Sequence, residues 1–379
     1  MRAALQRVPL WAALLVFVFV NAAQVIVSGV RTGGDSGMYL DGARALAAGQ
    51  PLSVRQPSYA AYIALLALVQ STGAGMIGVV AAQVAAACGA VLVVGRIAAD
   101  MAGRPAALVA MLMFAIDVET NRWHAFILSD SLFLSLLVVS VWLVYRALPL
   151  RAGAVALALV VMVAAALARP EGWFLVPAAL VFWIGYGISR PATRVAAAAV
   201  LIVAAGVLAV LVAPRLSGNL TAVGPADMLH RGQTIWDYDG WRIAMPADAV
   251  FEDGHASSAD AIVYAWRHPL STAALMAARV GVHFAHVRPF FSAAHNAVVL
   301  AWLMPVYALA AWGFWTWRHR PLCRWCAAAV ATQTLVVALT HADWDGRYLA
   351  HVLPLMYPLA GAALATLLAP DRQGAVAVA

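Results

Sequence analysis

Long apolar runs alternate along this chain with short polar breaks, and the breaks themselves alternate, one set rich in arginine and the other holding most of the acids. A helix needs ~20 apolar residues to cross a bilayer. On that measure the pattern predicts about ten spans, near 9–29, 76–98, 105–118, 125–146, 152–168, 172–189, 195–213, 295–317, 325–340 and 349–368, the third of them short. Flanking arginine sets their direction. Arg2, Arg7, Arg96, Arg104, Arg146, Arg151, Arg190, Arg194, Arg318, Arg320 and the C-terminus fall on one side, Asp35, Glu171, Asp239 and Asp345 on the other. The first run is long for a cleavable leader and more spans follow it, so it reads as an uncleaved first helix.

Two polar stretches interrupt the spans. Residues 30–75 form a first external loop, with Gly33-Gly34 leading to Asp35-Ser36, a helix start whose side-chain oxygens suit the unpaired backbone N–H groups. Asp35, Tyr39, Gly42, Ala43 and Leu46 then share one helical face. Gly49 to Pro51 ends this helix, and Ser58 to Val69 makes a second, too short to span. Both are expected to be juxtamembrane. Residues 214–291 read as an external cap packed over the membrane part, with one amphipathic surface helix over Ala261 to Phe291. The whole chain, 1–379, is a single domain, an all-α polytopic membrane protein.

Composition agrees: hydrophobic residues are 64% and charged residues 11%, against roughly 45–50% and about 25% in soluble chains. The lipid bilayer is therefore the chain's solvent. The formal charge of +7 is carried by arginine alone, and its placement is accounted for by membrane orientation, not nucleic acid. Cys88 lies in an apolar run, and Cys323 and Cys326 form a CxxC without a second pair, which supports no zinc or redox site.

Ionisable groups beside hydrocarbon are costly and need a reason. Asp35 is either a site acid or a helix cap. Asp130, in Leu128-Ser129-Asp130-Ser131-Leu132-Phe133, is expected one to two turns inside the fourth span, as a site acid or half of an intramembrane ion pair. Arg169 and Glu171 flank a tight turn and either pair or face a ligand. Arg347-Tyr348 opens the last span as a site or as an interfacial anchor. Asp117 and Glu119 are further acids on the same side.

In order and spacing, Asp35, Tyr39, Ala43, Leu46, Gly49, Pro57, Tyr59, Ser129-Asp130-Ser131, Arg169-Pro170-Glu171-Gly172 and Arg347-Tyr348 with Pro354 and Pro358 resemble the GT-C superfamily of membrane glycosyltransferases. Its relatives include protein O-mannosyltransferases, aminoarabinose transferases and polyprenyl-phosphate-sugar transferases. The resemblance implies an inverting transfer of a sugar from a polyprenyl-phosphate donor to a hydroxyl on a lipid, glycan or protein acceptor, on the periplasmic face of a bacterial inner membrane. It also implies Asp35 and Asp130 as catalytic acids. The family's second carboxylate after the first acid is here Ser36, so no metal ligand set is implied, and a divalent cation is the one cofactor left open.

Such a reaction needs a base for the acceptor and cations for the leaving phosphate. Asp35 suits the base. Arg347 suits the phosphate, because guanidinium meets phosphate oxygens as a fork, with Arg55, Arg169 and Arg288 as secondary cations. Tyr39 and Trp344 are expected to stack on sugar, with Glu171 and Tyr348 beside them. Three other readings remain: an O-antigen-ligase-type enzyme relying on histidine and arginine of residues 214–295, a transporter or flippase, and a catalytically silent subunit, suggested by Ser36 in place of the second acid.

Overall fold

The structure, a computed structural model, describes residues 2–199, 225–248 and 258–368. Among these residues there are helices and isolated bridges but no strand. The helices include α1 (Arg2–Arg7), α2 (Leu10–Ser28), α3 (Ser36–Ala47), α4 (Ala60–Ser71), α5 (Gly75–Ala102), α6 (Arg104–Ile116), α7 (Val118–Asn121), α8 (Asp130–Arg146), α9 (Ala152–Ala168), α10 (Leu175–Gly187), α11 (Pro225–His230), α12 (Ser258–Arg267), α13 (Pro269–Ala285), α14 (Ala293–Trp317), α15 (Pro321–Leu339) and α16 (Arg347–Leu367), and residues 191–199 are helical as well. Five of them, α2, α5, α14, α15 and α16, are long and apolar enough to cross a membrane. The protein is thus a helical membrane protein, and the expected span near 195–213 lies, from residue 200 on, outside the described residues.

α16 is the centre of the bundle. It packs against α5, α6, α8, α14 and α15 and is the most buried of the five long helices. Close approach depends on missing side chains, since a Cβ on Gly313 of α14 would lie 2.2 Å from the Leu359 carbonyl oxygen, and one on Gly361 would lie 2.8 Å from Ala110 of α6. Small residues let helix backbones meet where hydrocarbon offers no other drive to associate. The arginine-rich ends also meet: Arg320 donates to the Asp100 and Met101 carbonyls, Arg104 to those of Gln6 and Val8, and Arg324 to the Tyr186 hydroxyl.

Three expectations are corrected. α6 has 13 residues, about 20 Å at 1.5 Å each, and is buried on nearly every side, so it stops well short of a full span. The fourth segment begins at Asp130 rather than near 125, because Arg122–Ala125 forms a 3-10 turn and the chain then pairs with Arg31. Asp130 is consequently the first residue of its helix, not one to two turns within it. The amphipathic stretch from Ala261 is two helices, broken at His268-Pro269, since a residue before proline is pushed out of the helical region and proline itself starts a helix well.

Residues of the expected cap do lie on the bundle end that carries Asp35. Arg279 of α13 fixes them, its buried guanidinium donating to the carbonyls of Gln233, Met228, Ala338 and Leu339. Trp236 and Thr234 exchange backbone bonds with Ala342 just beyond α15.

Candidate functional site

The loop before α3 is stitched to the start of α8. Arg31 N–H donates to the Ala125 carbonyl and Ile127 N–H to that of Arg31, while the Ser36 hydroxyl accepts from Gly33 N–H and donates to the Ile127 carbonyl. Ser36 thus ties the loop to Ile127 and does not cap the first turn of α3. The Asp35 carboxylate takes no bond from the first turn of α3. It faces Arg347, the first residue of α16, whose Nη1 and Nη2 lie 3.3 and 3.5 Å from Asp35 Oδ2.

Behind this pair lies a buried chain of charges. Arg347 Nε is 3.5 Å from Asp130 Oδ1, and the same oxygen accepts from Arg169 Nη1 at 2.7 Å and meets His351 Nε2 at 3.0 Å. Arg169 Nη2 donates to Glu171 Oε1 at 2.8 Å. Asp130, Arg169 and His351 are essentially sealed from solvent, whereas the side chains of Arg347 and Asp35 expose 19% and 37%. The network runs Glu171, Arg169, Asp130, Arg347, Asp35, with Arg169 and Asp130 its deepest members and Asp35 its most exposed. Removing one partner from a buried pair leaves a charge uncompensated, so each member holds the next. Arg347 and His351 stand one helical turn apart, which places both on the α16 face that meets α8.

The loop entering α16 is held from three sides. Arg288 donates to the carbonyls of Val282, Val287, Asp343 and Trp344. Asp343 Oδ2 accepts the Arg347 backbone N–H at 2.8 Å. Gly346 has φ of 84°, and a Cβ there would lie 2.1 Å from His286 Cε1. His286 Nε2 in turn lies 3.3 Å from Glu119 Oε2, which Arg122 also contacts at 3.2 Å. Arg122 reaches across to the Asp345 carbonyl. Burial by itself would raise the Glu119 pKa, but the bond from His286 and the Arg122 charge outweigh it and hold Glu119 down at about 2. Burial, followed by the charge of Asp343, pushes Asp345 up to about 6.

The remaining predicted residues divide clearly. Tyr39 is fully buried, with its hydroxyl 3.3 Å from Ser129 Oγ and its ring against Tyr59 and Tyr62, so it offers no face to a sugar. Arg288 is spent on four carbonyls and Arg169 on two carboxylates, so neither has a free fork for a phosphate. Tyr348 packs on the Arg169 guanidinium and on His341. Arg55 is exposed at the turn before α4. Trp344 is 40% exposed and stacks on Phe290. Asp117 caps α7 and accepts from the Tyr357 hydroxyl, and is thus structural. Among the described residues no three His, Cys, Asp or Glu side chains gather closely enough to hold a metal.

Sequence reasoning missed His351, Asp343 and His286. For His351 a signal was present, an imidazole one turn after Arg347 in an otherwise apolar helix. His286 meets Glu119, 167 residues away, so local spacing carries no trace of it, whereas Asp343 bonds the Arg347 N–H only four residues on, a spacing that is local. No family model, curated protein or solved structure matches this chain.

Proposed function

We propose that the protein is an inverting GT-C-type glycosyltransferase of a bacterial inner membrane, with about ten spans, that moves a sugar from a polyprenyl-phosphate donor to an acceptor hydroxyl on the periplasmic face. The observation that carries this reading is the Arg347 fork, whose Nε lies 3.5 Å from Asp130 Oδ1 as an ion pair without a hydrogen bond and whose Nη1 and Nη2 turn toward the half-exposed Asp35. A guanidinium held from behind and open in front is suited to a phosphate. The neighbouring carboxylate is suited to an alcohol proton.

The pairing also couples the two tasks. A donor phosphate competes with Asp35 for Arg347, and the displaced carboxylate becomes the base. The acceptor oxygen then attacks the anomeric carbon opposite the phosphate, and its proton passes to Asp35. The bond from that carbon to the phosphate oxygen breaks, and its electron pair leaves with the lipid phosphate beside Arg347. Asp130, Arg169, Glu171 and His351 hold the guanidinium without touching substrate.

The test is transfer from a labelled polyprenyl-phosphate sugar in vesicles containing the purified chain. Asp35→Asn keeps shape but removes the proton acceptor, and loss of a positioned base costs about a hundredfold to ten-thousandfold in rate. Donor binding should hold or tighten, because Arg347 loses a competitor. Normal transfer by a folded Asp35→Asn protein rejects the assignment.

One observation favours a second reading. The Asp130–His351 contact, buried among helices, is the kind of pair that carries protons in transporters. Proton uptake by vesicles in the presence of an exported solute, without any sugar transfer, would favour it.

A further inference from the structure

The loop into α16 and the residues from the cap build an aromatic surface that the chemistry above leaves unused. Trp344 and Phe290 stack with ring centres 4.2 Å apart and planes 13° from parallel. Tyr238 meets both edge-on, at 5.9 and 5.6 Å, and also contacts Trp241 at 6.4 Å. Trp236 packs on His341 at the other end of the same loop. Trp236, Trp241, Phe290 and Trp344 each remain 37–40% exposed despite these contacts. Tryptophans at a membrane interface ordinarily belong to a lipid-facing belt. This surface differs in position, because Trp344 lies three residues before α16, the helix at the centre of the bundle, and Trp236, Tyr238 and Trp241 come from the segment docked over it.

Acids neighbour the ring residues in sequence. Asp343 and Asp345 flank Trp344 in sequence, and Asp239, beside Tyr238, is exposed and paired with Arg242. We infer that this surface is a saccharide platform that seats the acceptor, which is therefore a neutral glycan; the assignment of the ligand as acceptor rests on the glycosyltransferase reading. The C–H face of a pyranose packs on the negative face of an aromatic ring, and its hydroxyls need acceptors, which carboxylates supply well. The same acids repel a uronic acid. Asp343 ties the platform to the transfer site directly, since it accepts the Arg347 backbone N–H at 2.8 Å.

The experiment uses the full chain in lipid nanodiscs, free of sugar-headed detergents, titrated with cellotriose, maltotriose, chitotriose and tri-galacturonic acid while tryptophan fluorescence is followed. At least one neutral trisaccharide should bind saturably, and tri-galacturonic acid more weakly than it. Trp344→Ala should weaken that binding about tenfold or more, whereas Trp344→Phe, which keeps a ring, should stay within about threefold. Trp236→Ala guards against a folding artefact at Trp344 by testing the far end of the platform. Binding by none of the neutral sugars, or equal binding by wild type and Trp344→Ala, overturns the inference. So does quenching by brominated lipid that disappears in Trp344→Phe, which would assign the ring to lipid. Farnesyl phosphate is titrated into the same preparation. Sugar binding without farnesyl phosphate binding would sink the donor assignment and leave the platform standing, and the reverse result would sink only the platform.

Discussion

Arg347 Nη1 lies 3.3 Å from Asp35 Oδ2, joining residues 312 positions apart in the chain. Asp130 lies on the other side of this guanidinium, so on the proposed reading Arg347→Ala removes the cation that meets the donor phosphate. The expected result is a loss of farnesyl phosphate affinity of about tenfold or more. Arg347→Lys should recover only part, since a point charge cannot reproduce the fork between Asp130 and a phosphate. Titration calorimetry in nanodiscs measures both, and unchanged affinity in Arg347→Ala would remove Arg347 from the donor site.

The Asp130–Arg169 pair predicts a different signature. Both side chains are buried, and truncating one partner of such a pair costs about 3–5 kcal/mol. Asp130→Ala and Arg169→Ala should each destabilise strongly. The triple change Asp130→Leu, Arg169→Met and Glu171→Gln should recover much of the stability while leaving transfer abolished, because it removes the buried pair and the carboxylate that Arg169 holds, yet no longer holds Arg347. Thermal unfolding of wild type, the two alanine variants and their Asp130→Ala/Arg169→Ala combination gives the coupling energy. Independent, additive losses would mean the two groups do not act as a pair.

These relationships mark what could be read from residues alone. The long helices α2, α5, α14, α15 and α16 follow from runs of apolar residues, which are local. The Arg169–Glu171 pair was legible for the same reason, being two residues apart across a turn. The helix start at Asp130 is not legible locally, because Arg122–Phe126 leaves the helix to bond with Arg31, a long-range choice. Arg288 looked like a phosphate ligand for a related reason: its four carbonyl partners, on two separate segments, leave no mark in the local pattern. The break at His268-Pro269, by contrast, was in plain view and was overrun by periodicity.

Asp345 makes stability depend on pH with a definite sign. Its value in the folded protein is about 6, above the roughly 4 of an unfolded aspartate. The folded state therefore holds the proton more tightly between these values, so this contribution declines as pH rises from about 4 to about 6 and is level above. Asp345→Asn cannot ionise. Its melting temperature should exceed that of wild type at pH 7 and the difference should vanish near pH 4, with Asp343, Arg122 and Arg347 unchanged. A difference that stays constant across this range would show that Asp345 is not the titrating group.

Gly346 is the hinge on which the loop geometry depends, for two separable reasons. Its φ of 84° is one that residues with a Cβ adopt at a cost of about 1–2 kcal/mol. A Cβ would also lie 2.1 Å from His286 Cε1, so the imidazole must leave its place beside Glu119. Gly346→Ala should thus lower the melting temperature and also slow transfer, since Asp343, Trp344 and the Arg347 N–H are all carried on this loop. Adding His286→Ala removes the clash but not the backbone cost, so the double variant should regain part of the stability lost by Gly346→Ala. His286→Ala alone should destabilise, because it leaves Glu119 with Arg122 as its near partner. If the double variant is no more stable than the sum of the two single changes predicts, the ring and the glycine do not meet as described.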